Sequence, residues 1–302
     1  MTKIIKGDTF LLCAVTVFLW MSTAGCAVQP AEKSSNIILI AWDGAQHEHV
    51  KECLGRGELP NLKMLASEGG MEEITVQGQT ETEPGFARIL TGYKSETNRV
   101  LTNSNVGVIP KDYTVFERLE NHFNSADFVT IALVAKGHRI NSSTPDKPYY
   151  NAGQAADVFR NGLLDDKKVA SEATVLLKKY RDRQFFMFLQ FASPDSNGHS
   201  YGENSVEYNN ALILCDKLTG EVISKLKALG IYGKTIIYVT ADHGFDEGSR
   251  GHGFAPYVFI ATNDPRGVRP GVQTEITPTI LDRFGVDVEK ISPPYDGKPL
   301  TK

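Results

Sequence analysis

The sequence has little cysteine and no excess of charge of either sign. It contains 4 cysteines in 302 residues and has a formal net charge of −4. Cys13 and Cys26 lie in the N-terminal segment, which leaves Cys53 and Cys215 for the rest of the chain. These two do not have metal-ligand spacing, so we interpret both as small buried apolar residues, with a disulfide between them left open. The sequence also lacks a basic patch, which argues against a nucleic-acid-binding surface.

Internal repeats and low-complexity tracts are also absent, and the longest apolar run lies near the start, at residues 10–21. Lys3 and Lys6 precede this run, and small residues follow it up to Ala24-Gly25-Cys26. A basic start, a short apolar run and a small-residue cleavage site are typical of a secretory signal peptide. The run is shorter than the roughly 20 residues that a membrane-spanning helix requires.

The end of this segment resembles a bacterial lipobox, in which the cysteine receives a lipid after cleavage, although Thr23 stands where an aliphatic residue is usual. We predict a signal peptide with a lipobox-like cysteine at residues 1–26, a polar tether at 27–35 and one folded domain at 36–302. The chain is then exported to the periplasm or cell surface, with membrane association through lipidated Cys26. Secretion without a lipid and a retained N-terminal anchor are the alternatives.

Apolar runs alternate with helical patterns along residues 36–302. Uniformly apolar runs at 37–41, 128–134, 185–191, 236–239 and 257–260 predict strands that are covered on both faces, as in a parallel sheet. The longest helical pattern covers residues 208–229 and ends at Gly230. This alternation predicts a three-layer α/β/α sandwich with a mostly parallel central sheet. Such folds bind ligands at the carboxyl ends of their strands.

Acidic and histidine residues lie where three of the predicted strands end, and one more histidine follows in a glycine-rich stretch. The set is Asp43, Asp195, His199, Asp242, His243 and His252. Carboxylate and imidazole groups are suitable zinc ligands, and six side chains are too many for one catalytic ion but suit two. Each residue alone has a simpler explanation as a turn residue or an exposed loop histidine. Three further histidines, His47, His49 and His122, are interpreted as surface residues.

Thr82 is the candidate nucleophile. Pro84 favours the start of a helix here, and the free backbone N–H groups of a helix N-terminus suit an anionic phosphate. Coordination of the Thr82 hydroxyl to zinc would lower its pKa and supply a reactive oxygen. The alternative is that Thr82 is a helix N-cap and nothing more.

Several short motifs follow one another along the chain. They are Asp43-Gly44, Thr82-x-Pro84 with Leu90-Thr91-Gly92, Asp195 with His199, Thr240-Ala241-Asp242-His243-Gly244, Thr277-Pro278-Thr279-Ile280-Leu281 and Asp296-Gly297-Lys298-Pro299-Leu300. Together these motifs resemble the alkaline phosphatase superfamily, and within it the nucleotide pyrophosphatase/phosphodiesterase branch. The resemblance spans nearly all of residues 36–302. It implies an alkaline phosphatase-like catalytic domain and a metal-dependent hydrolase of small-molecule phosphate esters.

The resemblance also implies a role for each site residue. One zinc ion would be held by Asp195, His199 and His252, and the other by Asp43, Asp242, His243 and the oxygen of Thr82; other divalent metals are an alternative. Asn103, 21 residues after Thr82, matches an asparagine of this branch that hydrogen-bonds a phosphate oxygen. The implied mechanism is double displacement through a phosphothreonine intermediate.

Three positions depart from the pattern of this branch. Glu83 and Gly85 stand where an aromatic residue and an asparagine are common, and Asn98 replaces a histidine. A carboxylate at Glu83 should repel a phosphate monoester dianion more than a diester monoanion. We therefore expect phosphodiesters to be preferred.

Other functions of the same superfamily remain open. A phosphomonoesterase or a phosphonate hydrolase shares the core site, and Lys136 could bind a monoester phosphate, although we interpret it as a solvated loop lysine. A sulfatase requires a cysteine or serine that is matured to formylglycine, which Thr82 cannot become. A non-catalytic surface lipoprotein would show degenerate ligands, and none of the predicted ligands is missing.

Overall fold

The computed structural model describes residues 1–2 and 36–302. Nearly all of the predicted signal peptide, together with Cys26 and the tether, lies outside the described residues. Every strand and helix that the structure describes belongs to one compact unit, Glu32–Lys302. None of the described helices is both long enough and apolar enough to span a membrane.

The described residues form an eight-stranded sheet and a separate two-stranded hairpin. The strands are β1 (Asn36–Trp42), β2 (Gly70–Thr75), β3 (Val100–Thr102), β4 (Asn105–Val106), β5 (Phe128–Val134), β6 (Val158–Asn161), β7 (Gln184–Phe191), β8 (Thr235–Thr240), β9 (Tyr257–Thr262) and β10 (Gly271–Val272). The sheet has the order β10-β2-β9-β8-β1-β7-β5-β6, and β3 pairs with β4. Only β9 runs antiparallel to its neighbours β2 and β8 within this described sheet. The prediction of a mostly parallel sheet is confirmed.

Ten α-helices lie among the described residues, and most of them cover the sheet in two groups. They are α1 (His47–Gly55), α2 (Pro60–Glu68), α3 (Thr82–Thr91), α4 (Ser95–Asn98), α5 (Val115–Phe123), α6 (Tyr150–Ala155), α7 (Asp166–Lys179), α8 (Ser193–Tyr201), α9 (Val206–Ala228) and α10 (Ile276–Phe284). Helices α2, α7 and α8 pack on α9, whereas α3 and α5 pack on α10. Short 3-10 helices cover Tyr232–Lys234, Gln273–Glu275 and Val288–Lys290. The predicted three-layer arrangement is thereby confirmed.

The five apolar runs of the sequence all form strands, because each lies where the sheet is covered on both faces. All seven residues of β1 and of β5 are buried. Strands β2, β6 and β10 were not predicted. They contain half-exposed polar residues or are only two residues long, so they lack the uniformly apolar pattern of the central strands.

Helix α2 is tied to α9 by a single buried carboxylate. Asp216 of α9 accepts hydrogen bonds from the backbone N–H of Leu62 at 2.7 Å and from the side-chain amide of Asn61 at 2.9 Å. These bonds satisfy donors that the first turn of a helix leaves free. The two cysteines of the described unit, Cys53 and Cys215, are free thiols and both are buried, as the interpretation as small apolar residues requires.

Truncation of Leu39 tests the importance of the central strand. Leu39 lies in the middle of β1 and has no exposed surface, so Leu39→Ala should lower the free energy of unfolding by about 2–5 kcal/mol. Leu164→Ala is the matched control, because that side chain is 82 % exposed and its loss should change stability by no more than about 0.5 kcal/mol. Urea unfolding followed by circular dichroism measures both. Equal losses for the two variants would contradict the fold described here.

Candidate metal centre

Three strand ends meet at the centre of the sheet. Strand β1 pairs in parallel with β7 on one side and β8 on the other, so the residues that follow these strands lie side by side. Asp43 follows β1, Asp195 lies in the first turn of α8 after β7, and Asp242 follows β8. The backbone N–H of Asp195 donates to the carbonyl of Asp43 at 2.9 Å. Sheet pairing therefore brings together three carboxylates that are far apart in sequence.

The close approach of these strand ends requires glycine at position 44. Gly44 has φ +76°, a left-handed conformation that side chains with a Cβ rarely adopt. A Cβ there would also lie 2.8 Å from the Cα of Asp195. The Asp-Gly pair that the sequence analysis identified is thus needed for the packing of β1 against α8.

The three aspartates surround one imidazole nitrogen of His243. The Nε2 atom lies 3.6 Å from Asp43 Oδ1, 3.6 Å from Asp195 Oδ1 and 3.5 Å from Asp242 Oδ2. All three oxygens are buried and have no hydrogen-bond partner among the described residues. The Nδ1 atom of His243 lies 3.0 Å from the carbonyl oxygen of Gly244, which can only accept, so Nδ1 holds the proton and Nε2 presents its lone pair. Unpartnered buried oxygens around an imidazole nitrogen that contacts only the Thr82 hydroxyl and these carboxylates among the described hydrogen bonds and ion pairs fit a bound cation.

A second group of donors shares Asp195. His199 Nε2 lies 3.3 Å from Asp195 Oδ1 and 3.3 Å from His252 Nε2, and the three side chains form a set of possible metal ligands. His199 Nδ1 donates to the carbonyl of Arg250 at 2.9 Å, so Nε2 is the nitrogen that faces the other donors, and its bond to Asp195 raises the pKa of His199. Ligands about 2.0–2.2 Å from a tetrahedral zinc ion lie roughly 3.3 Å from one another, which matches these separations.

The structure thus places the six predicted ligands in two adjoining groups. The resemblance implied Asp195 for one ion only, whereas its Oδ1 atom is near both His199 and His243.

Burial controls the ionisation of the centre. Desolvation raises the pKa of Asp43 to about 7, although Lys136 opposes the shift, and it raises the pKa of Asp242 well above its usual value. Desolvation also lowers the pKa of His243 and of His252 to about 4. Both histidines are therefore neutral at neutral pH, which is the form that binds metal ions.

Lys136 belongs to this centre, which corrects its interpretation as a solvated loop lysine. Its side chain is 13 % exposed, and its ammonium lies 3.2 Å from Asp43 Oδ2 and donates to Asp195 Oδ2. Gln190 of β7 donates to the same Asp43 oxygen at 2.8 Å. Lys136 follows β5, the strand beside β7, and no pattern in the sequence links it to the two aspartates.

Thr82 lies against the metal ligands at the start of α3. Its Oγ1 atom is 3.2 Å from His243 Nε2, and its residue exposure is 3 %. The helix N-cap is Glu81, and Thr82 is the first residue of the helix, so the interpretation of Thr82 as a simple N-cap is wrong. Gly85 lies one residue after Pro84, and a Cβ there would approach the carbonyl oxygen of Asp242 to 2.6 Å. The departure from asparagine at this position lets α3 lie directly against the metal ligands.

Asn103 and Glu83 lie beside Thr82, the predicted nucleophile. Asn103 Oδ1 accepts from the backbone N–H of Glu83 at 2.9 Å, which positions the hairpin loop against the first turn of α3. The Glu83 carboxylate pairs with the Arg139 guanidinium at 3.1 Å. Its charge is therefore partly neutralised, which weakens the argument that Glu83 repels dianions.

Asn98, the residue in place of the family histidine, is buried. It donates to the carbonyl of Tyr93 at 2.8 Å and accepts from the N–H of Val100 at 2.9 Å, so both ends of its amide hold the local loop.

Two histidines that the sequence analysis placed at the surface are buried. His47 and His49 have 7 % and 6 % exposed surface, whereas His122 is exposed, as predicted. His49 pairs with Glu203, whose other carboxylate oxygen accepts from the N–H of Gly248 at 2.9 Å. Glu203 thereby holds the loop between His243 and His252, a role that no sequence pattern indicated.

Comparisons with known proteins give relatives in sequence and in fold. In sequence, the chain is 23 % identical over 245 residues to bis(5'-adenosyl)-triphosphatase enpp4 of Mus musculus, covering 78 % of this chain and 53 % of that protein. It is 27 % identical over 231 residues to ectonucleotide pyrophosphatase/phosphodiesterase family member 1 of Mus musculus, covering 73 % of this chain and 25 % of the relative. The chain spans about half the length of the enpp4 proteins and less of the larger relative.

Solved structures of similar fold include a putative sulfatase from Bacteroides thetaiotaomicron, with a TM-score of 0.68 and 14 % identity over 89 % of this chain and 74 % of that one. The putative sulfatase yidJ from Bacteroides fragilis gives a TM-score of 0.65 and 15 % identity over 89 % and 77 % of the two chains. At these identities the likeness shows the fold alone. The family model for type I phosphodiesterase / nucleotide pyrophosphatase matches residues 37–276, from β1 to the start of α10. The chain therefore belongs to the type I phosphodiesterase / nucleotide pyrophosphatase family.

Proposed function

We propose that this chain hydrolyses phosphate esters, phosphodiesters in particular, with Thr82 as the nucleophile and two divalent cations, zinc ions, held by the two ligand groups. The observation that supports this most directly is the position of Thr82 Oγ1, 3.2 Å from His243 Nε2 and beside three buried aspartates. A hydroxyl buried next to unpartnered metal donors is arranged for activation. The first group would be Asp43, Asp242, His243 and Thr82, and the second Asp195, His199 and His252.

The bound cations would lower the pKa of the Thr82 hydroxyl and stabilise charge on the phosphate oxygens. Thr82 Oγ1 then attacks phosphorus, the ester oxygen leaves, and a phosphothreonine forms. Water subsequently attacks the phosphothreonine, which releases phosphate or its monoester and restores the hydroxyl. The chain's own residues orient these steps.

Three features of the chain position the phosphate. The positive end of the α3 dipole favours an anion, although the N–H of Glu83 donates to Asn103, the N–H of Gly85 donates to the carbonyl of Glu81, and Pro84 has no N–H. Asn103 is held against this turn by its bond to the N–H of Glu83, so its amide can donate to an equatorial phosphate oxygen. The ammonium of Lys136, on the opposite side beside Asp43 and Asp195, adds positive charge.

A phosphomonoesterase is the second candidate, and two observations favour it. Lys136 is inside the centre, where an ammonium suits a dianion, and Arg139 compensates the charge of Glu83. A phosphonate hydrolase would use the same groups. Sulfate hydrolysis is disfavoured despite the fold of the structural neighbours, because Thr82 cannot mature to formylglycine. A non-catalytic role is disfavoured because every proposed ligand is in place.

The names of the relatives suggest substrates to test. Dinucleoside polyphosphates and nucleotide phosphodiesters follow from those names, and we include them as candidates. We also propose that the chain is exported and anchored through Cys26.

Removal of the Thr82 hydroxyl tests the nucleophile. We expect turnover of bis-p-nitrophenyl phosphate above that of p-nitrophenyl phosphate, and none of p-nitrophenyl sulfate. Thr82→Ala should lower kcat by roughly 10³-fold or more, since loss of a covalent nucleophile is among the largest single effects in catalysis. Thr82→Ser should retain part of the activity.

Zinc content, measured by mass spectrometry on the same samples, controls for loss of metal. Full activity in Thr82→Ala with zinc bound would refute the nucleophile. A preference for the monoester would instead favour the phosphatase.

Removal of the Lys136 ammonium tests the charge balance of the centre. Without metal, Lys136→Met leaves Asp43 and Asp195 buried without their cation, and the free energy of unfolding should fall by about 3 kcal/mol. Saturating zinc should recover most of this loss, because divalent cations replace the missing charge.

Lys147→Met is the control, since its pair with Asp146 is exposed to solvent and contributes little to stability. Urea unfolding with chelator and with zinc gives all four values. An equal loss under both conditions would show that Lys136 acts through packing alone.

A further inference from the structure

A second cluster of metal-binding side chains lies outside the catalytic centre, where α1 begins beside β2. His47 is the first residue of α1, Glu48 is the second, and Glu73 lies in β2. His47 Nδ1 is 3.2 Å from Glu48 Oε1 and 3.5 Å from Glu73 Oε2. The proposed mechanism uses none of these residues.

The His47 side chain indicates that a ligand belongs here. It is 9 % exposed, and its Nδ1 atom has no hydrogen-bond partner among the described residues, although two carboxylates lie nearby. A buried nitrogen without a partner is destabilising unless something satisfies it. Nδ1 lies near both carboxylates without a hydrogen bond to either among the described residues, and the two carboxylates would repel each other if nothing lay between them.

The separations match those of metal ligands. Nitrogen and oxygen ligands about 2.0–2.2 Å from a tetrahedral zinc ion lie roughly 3.3–3.5 Å apart. The two measured distances, 3.2 and 3.5 Å, fall in or next to that range, and all three ligand atoms lie within 4.8 Å of one another. We propose that His47, Glu48 and Glu73 bind a divalent ion of the zinc class, separate from the ions of the catalytic centre.

Charge and exposure agree with this assignment. Desolvation lowers the pKa of His47, so the imidazole is neutral at neutral pH, and a divalent ion balances the two carboxylates. Lys51 contacts both oxygens of Glu48 at 3.1 Å, but this i,i+3 pair is solvent-exposed and therefore weak. The ion can displace it. Two half- to fully exposed carboxylates leave the site accessible from solvent.

The position of the site gives the ion a structural role. Helix α1 starts four residues after Asp43, so an ion shared by α1 and β2 ties the segment after the first catalytic aspartate to the sheet. His47 and Glu48 also form part of the wall of a groove of about 420 Å³, whose other wall includes Phe254 and Tyr257. The ion would thus stabilise the fold beside the catalytic centre without contacting the substrate phosphate.

Zinc stoichiometry of the full chain tests this proposal. Equilibrium dialysis with metal analysis should give one bound zinc fewer for Glu73→Gln than for the unchanged protein. Glu72→Gln is the matched control, since Glu72 is the preceding residue of β2 and its carboxylate pairs with Lys302 at 3.5 Å, away from His47. His47→Gln should lose the same equivalent. Glu73→Gln should keep its rate on bis-p-nitrophenyl phosphate, which separates this site from the catalytic centre.

Nuclear magnetic resonance tests directly whether His47 binds zinc. If these side chains only packed together, zinc would not change the imidazole signals of His47. Titration of zinc should shift the imidazole signals of His47 in the unchanged protein and in Glu72→Gln, and leave them unshifted in Glu73→Gln. Equal zinc content in Glu73→Gln and Glu72→Gln would overturn the proposal. Imidazole signals of His47 that do not shift when zinc is added to the unchanged protein would also overturn it. Because Glu73 is exposed, its variant remains folded even if His47→Gln does not.

Discussion

Three aspartates buried at the ends of adjacent strands are the constraint on which the rest of this structure depends. Taking a carboxylate out of water costs several kcal/mol unless a cation and hydrogen bonds compensate it. Asp43, Asp195 and Asp242 have 0 %, 4 % and 0 % exposed surface, and Lys136 contacts two of them. Asp242 Oδ1 accepts from the N–H of Gly44, whereas one oxygen of each aspartate has no donor among the described residues. Burial raises the pKa of Asp43 and of Asp242, so without a cation protonation removes part of this charge. A bound cation would stabilise the ionised cluster, which couples metal affinity to fold stability.

Several local features follow from this constraint. Gly44 and Gly85 remove the side chains that would prevent β1 and α3 from approaching the cluster. The loop that presents His252 contains few apolar residues, and the buried carboxylate of Glu203 holds it through the N–H of Gly248. Because His199 donates to the carbonyl of Arg250 in that same loop, the position of the loop also sets the orientation of a ligand from α8. The ligands therefore depend on one another through the backbone.

The sequence predicted the central strands, and it singled out six candidate ligands that lie together in the structure, because both leave a local signal. An uninterrupted apolar run indicates a strand that is buried on both faces. An aspartate shortly after such a run lies at the carboxyl end of that strand. Strand β2 leaves no such signal, since its residues are mostly half-exposed. Lys136 and His47 are polar residues after a strand and at a helix start, where exposure is the usual outcome. Their burial depends on residues far away in sequence, Asp195 for Lys136 and Glu73 for His47, so no local pattern could show it.

The same distant contacts change how substrate selectivity should be understood. A free carboxylate at Glu83 would discriminate by charge, but Arg139 neutralises much of it, and Lys136 makes the centre more cationic. Positive charge attracts monoesters and diesters alike, and the dianion more strongly, so charge alone does not explain a preference for diesters. If diesters are preferred, as we propose, discrimination would then depend on the space available to the second ester group. The first turn of α3 and Asn103, bonded to each other through the N–H of Glu83, form one rigid side of that space. Arg139 also donates to the carbonyl of Asn103 at 3.4 Å. The same arginine therefore offsets the charge of Glu83 and helps to position Asn103.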